Sequence, residues 1–138
     1  MANPSVKEKW ASYNVNGRTS AELLSQMKQR GPNGFWAYTN WYVRWSANCK
    51  VDVEISYTMP KHTNPGSMPA DVKARWDRMN AALAAHERKH GQHGINAARE
   101  LVATSCKNGN AVIAKWAEQD KVLDKRTRHG ETEGVVFP

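Results

Sequence analysis

PADVKARWDRMNAALAAHERKH, Pro69 to His90, is the stretch on which the fold turns. Val72, Trp76, Met79, Leu83, His86 and His90 recur at steps of four and three, the core-facing stripe of an amphipathic helix. The stripe continues past its last apolar residue into two histidines. One helical turn takes 3.6 residues, so His86 and His90 stack on one face, and two imidazoles so placed make half of a zinc site. Glu87 stands beside the first histidine, where a carboxylate can hold a water on the metal and take its proton. His-Glu-x-x-His on a helix is the metallopeptidase pattern. The competing reading is a pair of hydrogen-bonded core histidines beside an ordinary solvated Glu87.

Working outward, 138 residues make one domain large enough to bury a core without help from metal or disulfide. Hydrophobic content of 40% and charged content of 24% are those of a soluble globular chain, and no apolar run is long enough to span a membrane. The net charge of +7 favours anionic partners, an envelope polymer among them. The basic residues are scattered and no nucleic-acid motif accompanies them, so no specific nucleic-acid partner is expected. Trp36, Trp41 and Trp45 fall close together and suggest core packing or an aromatic groove.

The chain before the long helix reads as mixed structure. Tyr13 to Gly17 is a short strand and turn; Thr19 with Glu22 is a capping-box signature for a helix whose apolar face is Leu23, Leu24 and Met27. Phe35 to Ser46 favours a strand. Cys49 to Tyr57 alternates almost perfectly, and the two should pair antiparallel through a turn at Ala47 and Asn48. Met59 to Met68 is expected as a loop. The long helix is expected from Pro69 to about Ser105, although Gly91 and Gly94 each cost roughly 1 kcal/mol inside it and allow a bend. Val112, Ile113, Trp116 and Leu123 mark a last helix, with an irregular stretch from Arg126 to Pro138. The expected architecture is α+β: a small antiparallel sheet against a long zinc-binding helix and two shorter helices. Residues 1–12 are expected as a flexible N-terminal segment ahead of a single domain, 13–138.

Cys49 and Cys106 are open to three fates: a bridge, two free thiols, or metal ligation. The bridge is preferred, because it would tie the start of a strand to the end of the long helix and contribute ~4 kcal/mol on the chain-entropy model. It implies an oxidising compartment. Met1 to Trp10 holds no signal-peptide core, so either export is absent or a leader has been removed.

The chain resembles the predicted secreted zinc-dependent proteases of bacteria, a domain family otherwise of unknown function. The likeness runs through Tyr-x-Val-x-Gly-x-Thr-x-x-Glu-Leu at Tyr13 to Leu23 and Phe-Trp-Ala-Tyr-Thr-x-Trp-x-Val-x-Trp at Phe35 to Trp45. It continues through Cys49-x-Val51, His86-Glu87-x-x-His90, Asp124-x-x-Thr127-x-His129-Gly130, Gly134 and Phe137-Pro138. Leu123 departs from it, standing where the family has an aromatic residue. The resemblance implies zinc, peptide-bond hydrolysis, and export to the periplasm or beyond; both cysteines fall at family cysteine positions.

A catalytic zinc site needs a third protein ligand. His93 shares the helical face but lies seven residues, about 10.5 Å, along the axis from His86. His129 is placed first, because it sits in a glycine-flanked tail able to fold back over the helix and because the resemblance points to the same turn. Glu118, Asp120, Asp124 and His93 are the other candidates. Asp124 is read as an outer carboxylate that orients a ligand histidine, and Arg126 or Arg128 as donors to a developing oxyanion. The expectation is a zinc metallopeptidase acting on protein or peptide substrates through a zinc-activated water, with Glu87 as general base. The alternative is a non-catalytic, zinc-stabilised interaction domain with a basic surface.

Overall fold

The alternating segment after Cys49 becomes the central strand of a three-stranded sheet. In the computed structural model, which describes residues 3–137, β1 spans Ser5–Val15, β2 Tyr38–Trp45 and β3 Val51–His62, in the order β1-β3-β2. β3 buries Val51, Val53, Ile55, Tyr57 and Met59 on one face and turns Glu54 and Ser56 to solvent. β2 pairs antiparallel with it, Trp45 opposite Val51 through Tyr38 opposite Thr58. The turn between them is the expected one, closed by the Cys49 N–H donating to the Ser46 carbonyl. β3 runs on through Met59 to His62, four residues into what reads as loop in the sequence.

Two expectations are corrected by β1. It pairs parallel with β3, Ser5 opposite Asp52 through Val15 opposite His62, so the sheet is mixed. The N-terminal segment is therefore strand from Ser5, not flexible to residue 12. Ser5 to Ser12 are all exposed, so this strand carries no burial pattern for sequence reading to detect. Its backbone ladder holds it, aided by Trp10 stacked on Tyr57 at 4.0 Å between ring centroids and by the Tyr57 hydroxyl donating to Glu8 Oε1 at 3.0 Å.

Three α-helices complete the α+β fold: α1 Ser20–Arg30, α2 Ala70–Ala103 and α3 Gly109–Thr127. Thr19 caps α1, its Oγ1 accepting from the Glu22 N–H at 3.2 Å. α2 runs through Gly91 and Gly94 as one helix of 34 residues. Both glycines are explained by contact with the sheet: a Cβ at Gly91 would collide with the Tyr57 hydroxyl, and one at Gly94 would lie 2.7 Å from Trp41 Cγ. Absent side chains let the helix lie close on the strands. The Cys49–Cys106 disulfide is formed and ties the start of β3 to the end of α2. No helix among the described residues is long and apolar enough to cross a membrane.

The apolar core forms two clusters along α2. Val72, Trp76, Met79 and Leu83 pack with Leu23 and Met27 of α1 and with Val135 and Phe137 of the C-terminal tail. Ala97, Ala98 and Leu101 pack with Val43, Val53 and Ile55 of the sheet and Val112 of α3. The turns between Leu83 and Ala97 hold His86, Glu87, His90 and His93, so the polar residues occupy the gap between two apolar blocks.

Candidate metal centre

His86 and His90 project from adjacent turns of α2, both buried, with ring centroids 4.9 Å apart and planes nearly perpendicular. Facing them are the last two turns of α3. There Asp120 and Asp124 repeat the spacing of the histidines, one turn apart on one face. Asp124 Oδ1 lies 2.9 Å from both His86 Nε2 and His90 Nε2. The outer nitrogens have carboxylates of their own: Glu133 Oε1 stands 2.6 Å from His86 Nδ1, and Asp120 Oδ1 stands 2.9 Å from His90 Nδ1.

This arrangement decides what the site can hold. A carboxylate only accepts, and a neutral imidazole has a single N–H. Two rings with carboxylates at all four nitrogens are satisfied by protons alone only if both are imidazolium cations, buried side by side. A divalent cation where the two Nε2 atoms and Asp124 Oδ1 meet would replace the inner protons and leave the outer N–H bonds intact. Ligand histidines held by carboxylates at the outer nitrogen are the usual surroundings of a protein-bound zinc. The donor set of two imidazoles and a carboxylate therefore fits zinc, its candidate atoms all lying within 4.8 Å of one another.

The electrostatics follow from the same contacts. Burial disfavours charge on His90, but hydrogen bonds to Asp120 and Asp124 outweigh it and push the pKa up to about 10. The same balance raises His86, with Asp124 and Glu133 as partners. Burial alone would raise Asp124; its bonds to the two histidines instead hold it well below the usual carboxylate range. Glu133 is lowered in the same way by Lys89 and His86 against burial. Glu87 behaves oppositely. It is buried, which raises its carboxyl, while the Thr39 hydroxyl donating to Oε1 at 2.8 Å lowers it, and burial prevails. The solvated Glu87 of the competing reading is thus not what the fold produces.

The residues flagged in the sequence separate into two groups. His86, Glu87, His90 and Asp124 come together and line one cleft of about 900 Å³. His129 lines it too, but stands apart from the ligand cluster: its side chain is exposed, and Nδ1 is 3.7 Å from Asp124 Oδ2. Asp124, rather than His129, lies against both Nε2 atoms because α3 continues to Thr127. That aims Asp124 at α2, whereas His129 falls beyond the helix end in left-handed backbone, φ 56°. The carboxylates at the outer nitrogens, where the sequence points to Asp124, are Asp120 and Glu133. Asp120 also receives His93 Nδ1 at 2.6 Å and Trp41 Nε1 at 2.7 Å, which ties it to β2. Arg128 is exposed and lines the cleft; Arg126 is exposed on the last turn of α3.

Glu133 is the residue sequence reasoning missed. It lies in a short 3-10 turn, Glu131–Glu133, in a tail with no periodicity to flag it, and it also pairs with Lys89. Asp120 and Asp124 did have a signal. Val112, Trp116, Leu123 and Thr127 are buried or half-buried, and extending that stripe through the helix places both aspartates on the face turned to α2.

No curated protein and no solved structure matches the chain. A family model does match, over residues 10–130, and it describes bacterial proteins of unknown function. By that match, which spans both helices of the candidate site, the chain belongs to the bacterial family of unknown function DUF922.

Proposed function

We propose that this protein is a zinc-dependent metallopeptidase. The observation that carries the reading is the double flanking of His86 and His90, with an acidic group at each ring nitrogen and one carboxylate oxygen shared at the centre. When bound there, zinc supplies Lewis acidity that polarises a scissile carbonyl and makes water acidic near neutral pH. His86, His90 and Asp124 would hold it. Glu87 follows directly after a ligand, is buried, lines the cleft, and has its carboxyl raised by burial toward the range useful to a general base. It takes the proton of the attacking water and returns it to the leaving amine. Thr39, donating to both Glu87 Oε1 and its backbone carbonyl, fixes that carboxylate. β2 is an edge strand whose lead-in, Gly34 to Ala37, lines the cleft, so an extended peptide can pair along it. The disulfide favours an oxidising compartment, and we place the protein in the periplasm or outside the cell.

The test is Glu87→Gln. Zinc stoichiometry should stay at the wild-type level while hydrolysis of a denatured protein substrate is lost; retained hydrolysis would remove the mechanism. A second reading has one observation in its favour. His129 Nδ1, 3.7 Å from Asp124 Oδ2, is near enough that a side-chain rotation could add a fourth ligand and close the site as a purely structural one. The visible absorption of the cobalt-substituted protein distinguishes the two, because an open site responds to added anions and a closed one does not.

A further inference from the structure

We propose that the cleft takes a large apolar side chain of an extended polypeptide, at the position beside the bond to be hydrolysed. This deepens the hydrolytic reading and rests on it for the word hydrolysed. The cleft lining combines two chemistries. One is the histidines and carboxylates. The other is an apolar wall of Leu24, Trp36, Ala37, Leu83, Val135 and Phe137, which cluster together and are drawn from α1, the lead-in to β2, α2 and the tail. Leu83 precedes His86 by three residues, so the apolar wall begins roughly 4.5 Å along the helix axis from the first histidine. The remaining ionisable lining residues, Arg128, His129 and Glu131, are exposed.

About 900 Å³ exceeds what one side chain needs, so the cavity accommodates several residues of a substrate. A free apolar molecule would leave unused the unpaired backbone groups on the outer side of β2. An extended chain uses both, pairing along the strand and lowering a Phe or Leu side chain into the recess. Desolvating that side chain against an apolar wall is favourable, whereas a Lys or Asp there would lose its hydration without a partner.

Binding is measured on the zinc-loaded Glu87→Gln protein, by calorimetry, with peptides that differ only in a central Phe, Leu, Ala, Lys or Asp. Phe and Leu peptides should bind at least ten-fold tighter than the Ala peptide, and Lys and Asp peptides weakest. Leu24→Trp, checked for folding by thermal melting, fills the recess and should abolish the preference for Phe while retaining Ala binding. Equal affinities across the set, or an unchanged order in Leu24→Trp, would overturn the proposal. Cleavage by the wild type, read by mass spectrometry, separates the two claims. Cuts without side-chain preference support hydrolysis and sink the apolar recess. Ordered binding with no cleavage supports the recess and sinks the hydrolytic reading.

Discussion

Each imidazole of the site is held from both sides, and the two partners of a ring do different things. The inner carboxylate, Asp124, shares a point with both Nε2 atoms; the outer ones, Glu133 and Asp120, fix the tautomer and aim the ring. Substitutions should therefore grade by position. Asp124→Ala removes the proposed inner ligand and should reduce zinc affinity the most. Asp120→Asn and Glu133→Gln keep the shape but lose the charge, and should each weaken zinc about 10- to 100-fold. His129→Ala should change affinity less than either. Competition titration against a chelating dye measures all four, and a reversed order, with His129→Ala the most damaging, would return the inner place to His129.

At the scale of elements, α2 can serve the site only because it lies close to the sheet, and its glycines set that distance. Gly91→Ala gains about 1 kcal/mol in helix propensity but drives a methyl into Tyr57, which Trp10 and Glu8 hold in place. Overpacking of this kind costs about 1–3 kcal/mol, so the net effect should be a loss of up to about 2 kcal/mol in chemical denaturation. Gly94→Ala, against Trp41, should behave alike, and it also disturbs the Trp41 bond to Asp120. Removing the disulfide by Cys49→Ser with Cys106→Ser should cost about 2–5 kcal/mol without altering zinc stoichiometry, because the bridge lies at the far end of α2 from His86. A stabilising alanine at either glycine would show that helix and sheet are free to separate.

For the whole molecule, the site makes stability depend on pH in a way that bound metal should reverse. In the metal-free protein His90 has its pKa raised from 6.5 to about 10, so its contribution is complete below about 6.5 and is lost as pH rises through about 10. Asp124 and Glu133 are lowered, so their contribution is present above about 4.5 and is lost as pH falls. The chelated protein should accordingly melt highest between roughly pH 5 and 6.5 and lose stability toward pH 10. Zinc competes with protons for the inner nitrogens, so its stabilisation should grow as pH rises from 5 to 8. Melting curves with zinc and with chelator across this range check both signs; parallel curves would mean that the ion binds elsewhere.

What could be read from the chain was local and periodic. The stripe from Val72 to His90 placed two histidines on a buried helical face, the alternation from Cys49 to Tyr57 marked β3, and capping and turn residues bounded α1 and the β2–β3 hairpin. These follow from the 3.6- and two-residue periods of the backbone, which neighbouring residues reveal without a partner. The choice between Asp124 and His129 did not follow, because the two are equally plausible chemically and only the length of α3 and its docking on α2 decide which one lies against His86 and His90. Glu133 reaches His86 across 47 positions of sequence, from a tail placed by the burial of Val135 and Phe137. The parallel pairing of β1 was equally hidden, since an exposed edge strand is held by backbone hydrogen bonds that every residue but proline can make. Contacts between distant segments depend on how whole elements pack, and no local period records that.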